Sequence, residues 1–201
     1  MPRVSEEDKQ TIVMMEAAGV LQDVDGHRLE TPNGAIFVGC GDADQSVDLI
    51  SRTLQAIFVE GDPVRPQLLF LNGGALLIPP KSPVRIAYPE DGVAMCRNIR
   101  KARALKGIST VLLKAHVPCG MAAEAGLGVE DVVRLLQDAK LHVRAENPGV
   151  IIACLLHVDN GSKRLRFLHG ASWREWSALS PKERERRYGA STLTPAGTGT
   201  F

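Results

Sequence analysis

Charge of one sign is what this chain lacks most plainly: 24 Lys and Arg against 23 Asp and Glu leave a formal net charge of +1. So even a balance gives no electrostatic footprint for nucleic acid or for an anionic membrane. Long apolar runs are missing too. No stretch reaches the length of a membrane span, and the start Met1-Pro2-Arg3-Val4-Ser5-Glu6-Glu7-Asp8 carries no apolar leader region, so a cytoplasmic protein is the expectation. Cysteine is scarce, with Cys40, Cys96, Cys119 and Cys154 spread over 201 residues. That is no secreted disulfide framework; in a reducing compartment, paired Cys and His read first as metal ligands or catalytic groups. Repeats and low-complexity segments are absent. Asn72-Gly73-Gly74 lacks the spacing of a phosphate-binding fingerprint and reads as close backbone packing.

What is present is an ordinary globular composition, 44% hydrophobic and 23% charged, at a length that suits a single domain over residues 1–201. Ser5 followed by Glu6, Glu7 and Asp8 predicts a capped helix, and Ile12, Met14, Met15 and Val20 give it an apolar stripe. We read residues 1–24 as an N-terminal helical arm whose stripe packs on the chain's own core or on a second subunit. A strand is predicted over 35–39, a helix over 46–58 ended by Gly61-Asp62-Pro63, and a strand over 67–71. A helix follows from Asp91 to about Leu105, then a strand over 109–115, a short helix from Met121 and a helix over 129–142. The apolar run 150–158 predicts a strand buried on both faces, and Asp159-Asn160-Gly161-Ser162 predicts a hairpin into 165–168. Residues 180–201 form a tail with a charged helix at Lys182–Arg187; the segment 191–201 has no periodicity. Strands alternating with helices argue for an α/β fold, a mostly parallel sheet flanked by helices, with its site at the carboxyl ends of the strands.

Three side chains fall at such ends. Cys40 follows the strand 35–39, while His116 and Cys119 follow the strand 109–115, 116 − 40 = 76 residues later. Two thiolates and one imidazole are three of the four ligands of a tetrahedral zinc ion, and a catalytic zinc keeps its fourth position for water. Asp42 is placed to supply or contest that position.

The stretches Cys40-Gly41-Asp42-Ala43-Asp44, Leu71-Asn72-Gly73-Gly74-Ala75 and His116-Val117-Pro118-Cys119-Gly120 resemble, in order and spacing, the site segments of the β-carbonic anhydrases. The resemblance covers roughly residues 5 to 170. It implies that family's fold, a homodimer or dimer of dimers, and Cys40, His116 and Cys119 as Zn2+ ligands. It also implies reversible hydration of carbon dioxide to bicarbonate by a zinc-activated water, with Asp42 orienting that water.

Two departures bear on this. The family's aspartate is clamped by an arginine two residues on, where this chain has Asp44, and the arginine that opens its middle segment aligns with Leu71. A guanidinium fixes a carboxylate bidentately and keeps it ionised. Without one, Asp42 has no visible restraint and is free to ligate the zinc, closing the site; Asp44 adds like charge beside it. Asp42 and Asp44 are therefore the candidate catalytic positions, and Asp42 a candidate fourth metal ligand. Arg52, Arg65, Arg85 and the neutral donor Gln45 are the candidates to replace the clamp. Alternatives are a hydrolase of a carbon-dioxide-like electrophile (carbonyl sulfide, carbon disulfide), which the apolar Leu71 favours slightly, and a non-catalytic zinc-stabilised binding or assembly protein. Cys96 and Cys154 read as packed thiols. His27, His142, His157 and His169 read as surface or satisfied histidines, and the basic helix face from Arg97 to Lys106 as a solvated one.

Overall fold

The computed structural model describes residues 3–24, 31, 34–57 and 64–189. The turns predicted at Asp25-Gly26 and Pro32-Asn33, with His27, Phe58, Gly61-Asp62-Pro63 and the tail from residue 190, lie outside the described residues.

Helix α1 (Glu6–Ala17) starts as the sequence predicts: the Ser5 side chain accepts the backbone N–H of Asp8, and Glu6, Glu7 and Asp8 fill the first turn, where the helix dipole favours acids. Its stripe is short. Ile12 and Met15 are buried, and the helix packs on α6 (Val129–Glu146) and α8 (Pro181–Tyr188) of the same chain.

Strands β1 (Leu21–Asp23), β2 (Ala35–Gly39), β3 (Pro66–Phe70), β4 (Thr110–Val117), β5 (Ile151–Asp159) and β6 (Lys163–Leu168) form one sheet in the order β1-β6-β5-β4-β2-β3. The run β5-β4-β2-β3 is parallel and β6 and β1 are antiparallel. Parallel strands need both faces covered, and β4 shows how the sequence meets this. Val111, Leu113, Ala115 and Val117 join the larger core, whereas Leu112 joins the smaller one on the other face, as alternation requires. The larger core is closed by α6, by α4 (Pro89–Lys106) and by the 3₁₀ turn Gly74–Leu77. The smaller takes Ala35, Phe37, Ala153 and Leu155 from the sheet, and Leu54 of α2 (Ala43–Ala56) packs against it. β5 is buried from Ile152 through Val158, and its predicted hairpin to β6 forms, with Asp159 opposite Lys163.

Two boundaries that bear on the site differ from the sequence reading, and three elements are additional to it. α2 begins at Ala43 rather than residue 46, because Asp42 caps it. β4 runs on to Val117, so His116 lies inside the strand and not in the loop after it. The short helix α3 (Pro83–Ala87) forms behind the proline-rich break, and α7 (Gly170–Ser177) forms with Trp173 and Trp176 buried. β1, three residues long, was too short to carry a period; its reason for existing is tertiary, the open edge of β6.

Candidate metal centre

The carboxyl ends of β2 and β4 bring the three sequence-predicted ligands together. Cys40 Sγ, a ring nitrogen of His116 and Cys119 Sγ all lie within 4.8 Å of one another, and all three residues are buried. Ligand-to-ligand edges of a tetrahedron with bonds of 2.0–2.3 Å are about 3.3–3.8 Å, so the triangle needs only small side-chain shifts to close on an ion.

Backbone hydrogen bonds hold Cys40 in place. Leu71 N–H donates to the Gly39 carbonyl (3.3 Å), Gly41 N–H to the Leu71 carbonyl (3.1 Å) and Gly74 N–H to the same oxygen (2.8 Å). Gly73 N–H points at Cys40 Sγ (3.3 Å), as a donor to a thiolate should. Gly74 has φ +51°, and a Cβ there would stand 2.4 Å from the Gly39 carbonyl carbon and 2.5 Å from Cys40 N. Only glycine lets the two loops approach this closely. Asn72-Gly73-Gly74 is thus close backbone packing, as its spacing suggested.

His116 is oriented by its neighbour. Its Nδ1 lies 2.7 Å from the Pro118 carbonyl, which can only accept, so we assign the proton to Nδ1. Nε2 is then a bare lone pair, buried and without a hydrogen-bond partner. A buried imidazole nitrogen that faces two sulfurs and is otherwise unsatisfied fits a metal ion, with the carbonyl fixing the tautomer as outer-shell partners of zinc-binding histidines do. The sulfurs say the same. Cys40 is held down, first by a hydrogen bond from Cys119 against the opposing effect of burial, and further by the Gly73 N–H. Cys119 is pushed up, first by that same bond and then by burial. Two sulfurs this close, one of them favouring the thiolate, are donors that a dication suits.

Asp42 stands apart from this triangle. It is the N-cap of α2, its Oδ1 accepting Asp44 N–H at 2.9 Å, and it is not among the clustered ligand atoms. The helix cap supplies the restraint that the sequence seemed to lack; among the described residues no side-chain cation is hydrogen-bonded to it. Arg52 pairs with Asp48 (2.7 Å), Arg85 donates to the Ile78 carbonyl (2.5 Å), Arg65 is exposed, and Gln45 donates to Asp159 Oδ2 (3.2 Å). Asp44 is exposed in the first turn of α2, and its carbonyl accepts Lys163 Nζ (3.2 Å). Asp42 and Asp44 line a cleft of about 660 Å³ with Arg3, Lys9, Pro118 and Asp159. A smaller cavity of about 60 Å³ touches Cys119 and shares Arg3, Val4 and Pro118 with the cleft.

Two buried polar groups lie near the centre, Lys114, which the sequence reading passed over, and His157, which it took for a surface or satisfied histidine. Lys114 lies two residues before His116 on β4, fully buried, with Nζ unpartnered and 3.4 Å from the centroid of the Phe37 ring. Burial alone pushes its amine well below the ordinary range. His157, opposite His116 in the β4–β5 register, has Nε2 2.6 Å from Asp48 Oδ2, while its buried Nδ1 has no hydrogen-bond partner; it lies inside the strand, not on the surface. A lone lysine inside an apolar strand was the visible signal for the first; nothing local marked the second. His169 caps α7, accepting Ser172 N–H, and Cys154 is a packed thiol pushed up to about 12 by burial.

The molecule is thus an α/β protein carrying a buried Cys-His-Cys triad at the carboxyl ends of parallel strands. No protein-family profile matches the chain, and no curated protein matches it. Solved structures similar to it include carbonic anhydrases of the β class. One from the filamentous fungus Aspergillus fumigatus aligns at TM-score 0.46 and 10% identity, covering 74% of this chain and 99% of that one. A carbonic anhydrase from Streptococcus mutans aligns at TM-score 0.40 and 16% identity over 83% of this chain and 99% of that one. A β-carbonic anhydrase from the protozoan Trichomonas vaginalis aligns at 0.40 and 15% identity, covering 83% and 100%. At identities this low, function has to be argued from the chain's own residues. Among the described residues no helix is long and apolar enough to cross a membrane.

Proposed function

We propose that the chain holds one Zn2+ through Cys40, His116 and Cys119 and hydrates carbon dioxide reversibly. The observation that carries the reading is the buried cluster of Cys40, His116 and Cys119, within which His116 Nε2 has no hydrogen-bond partner. When bound, zinc supplies a Lewis acid that lowers the pKa of water from about 15.7 toward ~7.

The chain's own residues do the rest. Gly73 N–H and the Pro118 carbonyl fix the two kinds of ligand atom before any ion arrives. Asp42 is oriented by the cap, with one oxygen committed to Asp44 N–H; its other oxygen would accept a hydrogen bond from the reacting water and so aim it. The cleft carries four carboxylates (Glu6, Asp42, Asp44, Asp159) against Arg3 and Lys9. Such a mouth favours a neutral substrate and expels an anionic product. A homodimer or dimer of dimers belongs to the same reading. Exposed Leu68 on β3 and Val47 on α2 are apolar surface that an assembly would cover.

A second reading is a structural zinc site without turnover, favoured by the near-complete burial of all three ligands (His116 1% exposed, Cys40 and Cys119 5%). One preparation separates the two: zinc content per chain with stopped-flow carbon dioxide hydration, on wild type, Cys40→Ser and Asp42→Asn. We expect stoichiometric zinc in wild type and none in Cys40→Ser. Asn caps a helix as well as Asp does, so Asp42→Asn should keep stability within about 0.5 kcal/mol while hydration falls at least about tenfold. Zinc with neither hydration nor sulfide release from carbonyl sulfide in wild type establishes the structural reading; no zinc removes both.

A further inference from the structure

A second group of metal-type ligands lies outside the centre described above. Cys96 on α4 and His142 and Glu146 on α6 bring a thiol sulfur, an imidazole nitrogen and a carboxylate oxygen within 4.8 Å of one another. His142 and Glu146 are four residues apart on one helix, so they share a face, and Cys96 meets that face from the neighbouring helix. Sequence reading took Cys96 for a packed thiol and His142 for a surface or satisfied histidine, since neither sits in a spaced motif. Only the packing of two helices joins them.

The donor set is that of a zinc-class ion, sulfur with nitrogen and oxygen. His142 Nε2 lies 3.3 Å from Glu146 Oε1, close enough for an ion pair, yet it is buried and makes no hydrogen bond. Two acceptor-capable atoms meet beside a thiol with no aligned proton between them. Glu146 is already steered: its other oxygen, Oε2, takes Arg100 Nη1 at 2.5 Å, and Arg100 stands one turn beyond Cys96 on α4. A carboxylate held by an outer partner through one oxygen, with the other turned to the ligand cluster, is how ligating carboxylates are supported. Cys96 is buried, His142 half-buried and Glu146 exposed, so solvent reaches the cluster from one side and can fill a fourth position. Arg85 and Arg100 both bear on the Cys96 sulfur; two guanidiniums so close oppose a cation, which makes this the weaker of the two centres.

We propose that Cys96, His142 and Glu146 form a second, solvent-reachable site for a zinc-class divalent ion, tying the end of α6 to α4. The site is separate from the Cys40 centre. α6 begins at Val129, which lines the small cavity touching Cys119. His142 is thirteen residues further along, about 20 Å at 1.5 Å per residue.

The test uses the full chain and Co2+ as probe, comparing wild type, Cys96→Ser and His142→Gln by equilibrium uptake and thiolate-to-cobalt charge-transfer absorption. Wild type should take up one more equivalent than either variant. That equivalent should leave first when a weak chelator is added, and the charge-transfer band should shrink in Cys96→Ser. The metal-induced rise in Tm should be smaller in both variants. Both variants keep Cys40, His116 and Cys119, so failure of that centre lowers all three proteins alike and leaves the difference between them readable. Equal uptake and equal spectra in wild type and Cys96→Ser overturn the proposal, as does uptake lost in Cys96→Ser but fully kept in His142→Gln.

Discussion

Replacing Lys114 by Met should stabilise the protein, by an amount that shrinks as pH rises. The side chain is fully buried on β4, its Nζ has no hydrogen-bond partner, and its nearest feature is the face of Phe37. Met keeps most of the aliphatic stem and removes the amine, so the cost of an unsatisfied buried polar group, about 1–3 kcal/mol, is recovered. A second contribution comes from the proton. Burial holds the folded amine well below its ordinary value, while the unfolded chain titrates near pH ~10.4. Between those two values the unfolded state binds one proton more than the folded state, so wild-type stability rises with pH by about 1.4 kcal/mol per unit. The Met variant lacks this slope, so its advantage is largest at the low end of the window and falls as pH approaches ~10. For a chain of this size the change in the Tm difference is about 3–6 °C per pH unit. Urea unfolding of both proteins at neutral pH and at two alkaline values measures it. A difference independent of pH, or a Met variant less stable than wild type at neutral pH, refutes the account of Lys114 as a buried, unpartnered amine that holds its proton less tightly when folded.

Burial works against the ionised Asp48, yet Arg52 and His157 hold it below the ordinary carboxylate range. Its contribution is therefore present above about pH 4 and lost as pH falls through the depressed folded value. Asp48→Asn should cost about 1–3 kcal/mol near neutrality and flatten the acid limb of the stability curve, read by urea midpoints from neutral to acid pH. Gly74→Ala should cost at least about 2 kcal/mol, since it asks alanine for a left-handed conformation against the Cys40 loop; zinc retention after dialysis should fall with it. Asp44→Arg should lower stability by about 0.3–1 kcal/mol by placing a cation at the start of α2. Because the cap already restrains Asp42, it should leave hydration unchanged; a rise in rate would show that the cap does not do the work of a guanidinium.

The parts of this molecule that were legible were those written in local pattern. Alternation and apolar runs located β2, β4 and β5, and Ser5 with its acids located α1. The spacing of Cys40, His116 and Cys119 at strand ends foretold the triad. What was missed depends on partners distant in sequence. β1 exists because β6 leaves an edge. Val129 N–H finds Asp8 Oδ1 across the molecule, capping α6 from the N-terminal segment. Asp42 illustrates the limit best. The absence of an arginine was visible in one dimension, but the helix that replaces it begins three residues earlier than its apolar pattern. Cap residues are polar and sit outside the hydrophobic period, so the very feature that restrains the carboxylate was hidden from a reading based on that period.

The pairing of β1 with β6 also sets a timetable for synthesis. Leu21 lies opposite Leu168, 168 − 21 = 147 residues later. At roughly 5–20 residues per second a nascent chain waits about 7–30 s between exposing one strand and making its partner. During that interval Ile12 and Met15 of α1, which end buried beside α6 and α8, have no finished surface to rest on. The parallel core β2-β3-β4 can assemble first, leaving the N-terminal helix to dock last. A ribosome-bound chain stopped before β6 should therefore present the Ile12 and Met15 face of α1 to chaperones, although both side chains are buried in the completed molecule.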